Sequence, residues 1–89
     1  MIEREITVTN KLGLHARASA KLVQTMAGFR SMAKLSAKGR EVDAKSIMGV
    51  MMLAAGQGAV VVMRVDGEDE VAAMDAAIDL FTRNFDEGG

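Results

Sequence analysis

The residues best suited to chemistry lie together in segment 10–20, NKLGLHARASA. It holds the only histidine of the chain, His15, and Arg17 follows two residues later. A polar, glycine-containing half gives way to an Ala-rich half, so we expect a helix to begin at or beside His15. Free peptide N–H groups and the helix dipole at such a position favour a phosphoryl group, and the Arg17 guanidinium can bind the same oxygens. By itself the pattern is typical either of an ordinary surface or capping histidine or of a histidine that carries phosphate.

Composition argues against several other kinds of site. The chain has no cysteine, which excludes disulfides and thiolate metal sites, and one histidine argues against a nitrogen-rich metal site. A net charge of −1 argues against nucleic-acid binding by phosphate neutralisation. With 89 residues, 49% apolar and 26% charged, we expect a single globular domain over 1–89. The N-terminus has no long apolar run, so we expect no membrane insertion and a cytoplasmic protein.

The apolar periodicity predicts seven elements around this segment. They are strand 2–8, helix 16–27, a hairpin of 32–37 and 40–44 around Lys38-Gly39, short helix 47–53, strand 59–66 and helix 70–84. We expect strand 59–66 to be central, Gly28 to end the first helix in a left-handed conformation, and 86–89 to form a polar tail. The predicted buried stripe of the last helix is Val71, Met74, Ile78, Phe81 and Phe85. One sheet covered by helices on a single face, an α+β open-faced sandwich, packs these elements most economically.

Two further surfaces are candidates for binding. Lys21 and Gln24 share with Arg17 the polar face of the first helix, which is either a basic surface for an acidic partner or merely a solvated face. Ser46 is a natural N-cap for the short helix. That helix also carries an apolar patch, either ordinary packing or a docking surface, made of Ile47, Met48 and Met51.

The string Gly-Leu-His-Ala-Arg at 13–17 resembles the active-site motif of the HPr family, the phosphocarriers of the bacterial phosphotransferase system. The resemblance extends over the whole chain, through the element order, Lys45-Ser46 before the short helix and Gly-Glu-Asp-Glu at 67–70. It implies a four-stranded antiparallel sheet with three helices on one face (βαββαβα). It also implies that His15 accepts a phosphoryl group on Nδ1 from enzyme I and passes it to an enzyme IIA domain, with Arg17 beside the phosphate. Such a protein is a carrier without metal or cofactor rather than a turnover enzyme, and a monomer suits that role.

The family motif continues Arg-Pro-Ala, whereas this chain has Ala18-Ser19 after Arg17, so we expect a slightly looser site with the same chemistry. Ser46 corresponds to the serine that HPr kinase/phosphorylase phosphorylates in many bacteria. A phosphate there would place negative charge beside the apolar patch and weaken docking to enzyme I. Capping alone also explains a serine at this position.

Three alternatives remain open. The lead-in at 10–13 and the ending 80–87 also resemble the nitrogen-related branch of the family, a regulatory carrier with the same chemistry. An acylphosphatase-like small enzyme would need a water-positioning asparagine, for which Asn10 is the candidate. A ligand-sensing or scaffold module would leave His15 inert.

Overall fold

The computed structural model describes residues 1–87 as one antiparallel sheet with three helices. The elements are β1 (Ile2–Thr7), α1 (Ala16–Ala27), β2 (Met32–Ala37), β3 (Arg40–Asp43), α2 (Ile47–Met52), β4 (Val60–Asp66), α3 (Glu70–Thr82) and a single turn, Asn84–Asp86. The element order and the α+β open-faced sandwich are those predicted from the sequence. Gly88 and Gly89 of the predicted polar tail lie outside the described residues.

The sheet has the strand order β1-β4-β2-β3, with every pairing antiparallel. Strand β4 pairs with both β1 and β2, which confirms the prediction of a central strand. Its side chains alternate between the two faces of the sheet, as the pleat requires. Val61, Met63 and Val65 are fully buried beneath the helices, whereas Val60 is exposed on the open face.

The hairpin between β2 and β3 turns at the predicted pair. Lys38 and Gly39 both have positive φ angles, 53° and 78°. A two-residue turn with both central φ angles positive matches the right-handed twist of the flanking strands. The hairpin predicted around Lys38-Gly39 is therefore confirmed, and its turn is of the primed type.

Two details of the helices differ from the prediction. Gly28 has φ −75° rather than a left-handed angle. The Gly28 and Phe29 N–H groups donate to carbonyls three residues back, and this tighter last turn satisfies them without a left-handed residue. In α3, Val71 is 62% exposed because the helix packs through Ala73 and Ala77, whose small side chains allow close approach.

No helix among residues 1–87 is both long enough and apolar enough to cross a membrane.

Candidate phosphoryl-transfer site

His15 is the N-cap residue of α1, at the predicted helix start. Its backbone is extended, with φ −76° and ψ −177°, and its carbonyl accepts the first helical hydrogen bond from the Ser19 N–H at 2.8 Å. The imidazole Nδ1 accepts a hydrogen bond from the Arg17 N–H at 3.3 Å. The ring nitrogen therefore does what a serine or aspartate oxygen does at an ordinary N-cap. Its lone pair points into the positive end of the helix dipole.

The turn before His15 is fixed against the segment that follows α2. Gly13 has φ +65°, and a Cβ atom there would lie 2.4 Å from the Ala55 carbonyl oxygen. The same carbonyl accepts a hydrogen bond from the Leu14 N–H at 2.9 Å. The buried Ser19 hydroxyl donates to the Leu14 carbonyl at 3.0 Å. Glycine is needed at position 13 both for the backbone angle and for the close approach.

The other ring nitrogen of His15, Nε2, faces the Glu87 carboxylate oxygen Oε2. The His15 side chain is 29% exposed and the Glu87 side chain 12% exposed. In a neutral imidazole one nitrogen carries the proton and the other accepts. Because Nδ1 accepts from a peptide N–H and Nε2 faces a carboxylate, the hydrogen-bond network assigns the proton to Nε2. The lone pair of the neutral ring is therefore on Nδ1.

Asn10 holds Glu87 from the interior. The Asn10 side chain is 1% exposed, and its Nδ2 donates to the Gly13 carbonyl at 2.7 Å and to the second Glu87 oxygen at 3.0 Å. Burial raises the pKa of the Glu87 carboxyl, but hydrogen bonds from Asn10 and His15, with the nearby Lys21 charge, outweigh it and lower the pKa overall. Glu87 is therefore ionised at neutral pH.

A left-handed turn brings Glu87 to the histidine. Asn84, Phe85 and Asp86 all have positive φ angles, 54°, 54° and 62°. The Phe85 ring is fully buried and packs edge-on against Phe81, with ring centroids 4.9 Å apart. Lys21 Nζ donates to the Phe85 carbonyl at 2.5 Å. The predicted last helix thus ends before Phe85, which reaches the core from the turn instead.

An open cavity of about 1070 Å³ surrounds the histidine ring. Its lining combines three cationic side chains and two carboxylates with apolar groups: Lys11, Leu12, His15, Ala16, Arg17, Lys21, Asp86 and Glu87. Arg17 is exposed, and within residues 1–87 its guanidinium makes no hydrogen bond or ion pair. An anion entering the cavity would meet that guanidinium and the N-terminus of α1 together.

The remaining predicted residues lie along α1 and α2, which pack against each other. Gln24 is exposed on α1, whereas Lys21 is half-buried because its ammonium group binds the C-terminal turn. Ser46 caps α2 as predicted, and its hydroxyl accepts from the Gly49 N–H at 3.1 Å. The apolar patch of Ile47, Met48 and Met51 is exposed, and Met48 the most at 70%.

Glu87 is the site residue that sequence reasoning missed. The sequence predicts only a polar tail over 86–89, and no local pattern links Glu87 to a histidine 72 positions away. Asn10 was considered only as a water-positioning group, but its amide is buried and bound to Gly13 and Glu87.

Comparison with known proteins identifies the family of this chain. A family model described as the PTS HPr component phosphorylation site matches residues 2–83. The phosphocarrier protein HPr of Xylella fastidiosa (strain Temecula1) is 67% identical over 87 residues, covering 98% of each chain. A crystal structure of HPr from Thermoanaerobacter tengcongensis superposes with a TM-score of 0.94 at 44% identity, covering 98% of each chain. A second structure from that organism, described as an HPr dimer, superposes with a TM-score of 0.77 at 44% identity and covers 96% of this chain and 98% of that one.

The structural matches agree with the one-sided sandwich of this chain. The family match spans nearly the whole chain and so includes both the histidine segment and the elements that position it. The chain belongs to the HPr family, the phosphocarrier proteins of the bacterial phosphotransferase system.

Proposed function

We propose that His15 carries the phosphoryl group on Nδ1, accepting it from phosphorylated enzyme I and passing it to an enzyme IIA domain. The observation that supports this most directly is the hydrogen bond from the Arg17 N–H to Nδ1, which puts the nucleophilic lone pair at the helix N-terminus. A phosphoryl group on that nitrogen would replace the ring as acceptor of free peptide N–H groups. Phosphoryl transfer depends mainly on positioning and charge stabilisation, and both are available there.

Arg17 stabilises the phosphoryl oxygens in this proposal. Its guanidinium lines the cavity without a competing carboxylate partner in the described chain. We expect Arg17→Ala to slow phosphorylation by about ten- to a hundredfold, the effect of one charge-assisted hydrogen bond. Lys38→Ala, which removes a positive charge from the exposed hairpin turn, is the matched control and should leave the rate unchanged.

The direct test is phosphorylation by enzyme I and phosphoenolpyruvate. The product should carry one acid-labile phosphate, and because the chain has a single histidine, His15→Ala should abolish it. Hydrolysis of an acyl phosphate without stable labelling would instead favour the small-enzyme alternative. Transfer onward to purified enzyme IIA domains of the carbohydrate and nitrogen-related branches identifies which branch the protein serves.

The docking surface we propose combines Lys21 and Gln24 of α1 with the apolar patch of α2. An apolar patch flanked by polar side chains is typical of the centre and rim of a transient interface. We expect Met48→Glu to raise the KM for this protein as a substrate of enzyme I and to leave kcat unchanged. A change in kcat alone would contradict a docking role.

We further propose that phosphorylation of Ser46, by an HPr kinase/phosphorylase where one is present, weakens docking. The Ser46 hydroxyl is at the N-terminus of α2, where a negative charge needs no refolding, and the apolar patch begins at the next residue. Ser46→Asp should slow phosphorylation of His15. Ala72→Asp adds the same charge to the first turn of α3 and is the control. Equal rates for the two variants would leave Ser46 as a helix cap alone.

A further inference from the structure

We propose that three methionines on the exposed face of α2 (the α2 methionines: Met48, Met51 and Met52) form a reversible oxidation site that controls docking. A hydroperoxide converts their thioether groups to sulfoxides, and the oxidised surface binds enzyme I less tightly. This inference rests on the docking surface of the proposed function and adds to it a response to oxidants.

Methionine is the only sulfur-containing side chain in this protein. The sequence has eight methionines but no cysteine, and it also has no tryptophan or tyrosine. In most proteins the cysteine thiolates are the sulfur groups that a peroxide attacks most readily. Because no thiolate competes here, a peroxide that oxidises sulfur in this protein must do so at a thioether.

Solvent exposure separates the α2 methionines from those of the core. Positions 48, 51 and 52 lie three and four residues apart, so their side chains share one face of the helix. Met48 is 70% exposed, Met52 58% and Met51 39%. Three other methionines are buried in the core: Met26, Met63 and Met74. An oxidant in solution therefore reaches the α2 methionines while the core sulfur atoms stay protected.

The α2 helix presents these side chains in the folded state, without local unfolding. Its opposite side packs into the core through the buried Val50 and Leu53. The Ser46 cap fixes the start of the helix, and Arg40 Nη1 donates to the Met52 carbonyl at 3.0 Å and fixes its end. Oxidation thus changes the surface of α2 and leaves the contacts that hold the helix in place.

The reaction transfers one oxygen atom from the peroxide to sulfur. A sulfur lone pair forms the S–O bond with the peroxide hydroxyl oxygen while the O–O bond breaks. The leaving oxygen takes the electron pair of that bond and the hydroxyl proton, and departs as water or an alcohol. Sulfur is oxidised and the peroxide is reduced, so no further reactant is needed. Methionine sulfoxide reductases reverse the change, which makes the modification suitable for regulation.

Oxidation alters the part of the surface that docking would bury. Met48 and Met51 belong to the apolar patch of the docking surface, and Met52 continues the same face of α2. A sulfoxide is polar, whereas the thioether is apolar. A polar group that is buried against a partner without a hydrogen bond costs free energy. We therefore expect oxidation to raise the KM for this protein as a substrate of enzyme I by about tenfold, with kcat unchanged.

The test treats the folded protein with hydrogen peroxide and then measures its phosphorylation by enzyme I. Mass spectrometry of proteolytic peptides should show added oxygen on the α2 methionines and none on the core methionines. KM should rise as stated, and treatment with methionine sulfoxide reductases should restore it. Urea unfolding of the treated protein verifies that the core is retained.

Two variants locate the effect. In the first, the three α2 methionines are replaced by leucine, which keeps the surface apolar and cannot form a sulfoxide. The second is Met32→Leu: Met32 is also exposed, but it pairs with Asp66 on the open face of the sheet, away from the helices. Each variant is compared with its own untreated form, so a change in basal KM does not enter the result. The first variant should lose its sensitivity to peroxide, and Met32→Leu should keep it.

The outcomes separate this inference from the docking surface. If oxidation of the α2 methionines leaves KM unchanged while Met48→Glu raises it, the oxidation site is refuted and the docking surface stands. If Met48→Glu also leaves KM unchanged, both are refuted. An equal rise of KM in the variant without α2 methionines, or a loss of kcat in place of the rise in KM, shows that peroxide acts elsewhere in the protein and overturns the inference.

Discussion

Replacing Gly13 by alanine tests whether the turn before His15 is held by the backbone of the facing segment. A Cβ atom at position 13 would lie 2.4 Å from the Ala55 carbonyl oxygen and 2.7 Å from the Gly56 Cα, and both are backbone atoms that cannot rotate away. The turn must therefore move, which breaks the 2.9 Å hydrogen bond from the Leu14 N–H to Ala55. His15 follows directly in the chain and would move with it.

The expected magnitude has two parts. A left-handed alanine costs about 1–2 kcal/mol, and loss of one backbone hydrogen bond adds about 0.5–1.5 kcal/mol. We therefore expect Gly13→Ala to lower the free energy of unfolding, measured in urea, by about 1.5–3.5 kcal/mol. The same variant should be phosphorylated on His15 more slowly than the wild type.

The chain supplies a matched control in Gly39, whose φ is +78° but whose Cβ would meet nothing within 4 Å. Gly39→Ala should show only the conformational part, about 1–2 kcal/mol, and normal phosphorylation. If the two variants lose the same stability and are phosphorylated at the same rate, the close approach at Ala55 does not hold the site, and the reasoning is refuted.

Two further predictions concern the opposite end of α1 and the motif itself. The Ser31 hydroxyl and the Arg30 N–H bind Asp69 and lower its pKa from 3.8 to about 2. Because the folded-state pKa of Asp69 is the lower one, its stabilisation of the fold is present above about pH 4 and is lost as the pH falls through 2. The free energy of unfolding of Asp69→Asn, measured against pH, should lack that part of the pH dependence. Ala18 is the third residue of α1, where the N–H has no intrahelical acceptor and proline is tolerated. Ala18→Pro should therefore leave phosphoryl transfer largely intact. It should raise the free energy of unfolding by about 0.4–1 kcal/mol. A strong loss of transfer in Ala18→Pro would contradict the helix-start geometry.

The features that the sequence predicted correctly are those set by neighbouring residues. The bounds of α1, the Ser46 cap and the positive φ angles at Lys38-Gly39 depend on local propensities and hydrogen bonds within a few positions. The central position of β4 was also predicted, because a strand this apolar is typical of the middle of a sheet. The helix start at His15 is likewise set by neighbouring residues.

The errors arise where packing or a non-local contact outweighs local preference. The periodicity predicts Val71 in the core, but α3 buries Ala73 and Ala77 and leaves Val71 exposed. Gly28 was expected to be left-handed, but hydrogen bonds to Thr25 and Met26 close the helix without it.

The sequence alone predicts a histidine at the start of a helix, with an arginine two residues later. It also predicts an apolar patch beside Ser46. Only the tertiary structure shows that Glu87 meets the other side of the imidazole. The physical reason is that a buried phenylalanine and a half-buried lysine stabilise a turn that its own residues disfavour. A conformation of that kind depends on contacts between distant parts of the chain, and no local pattern records it.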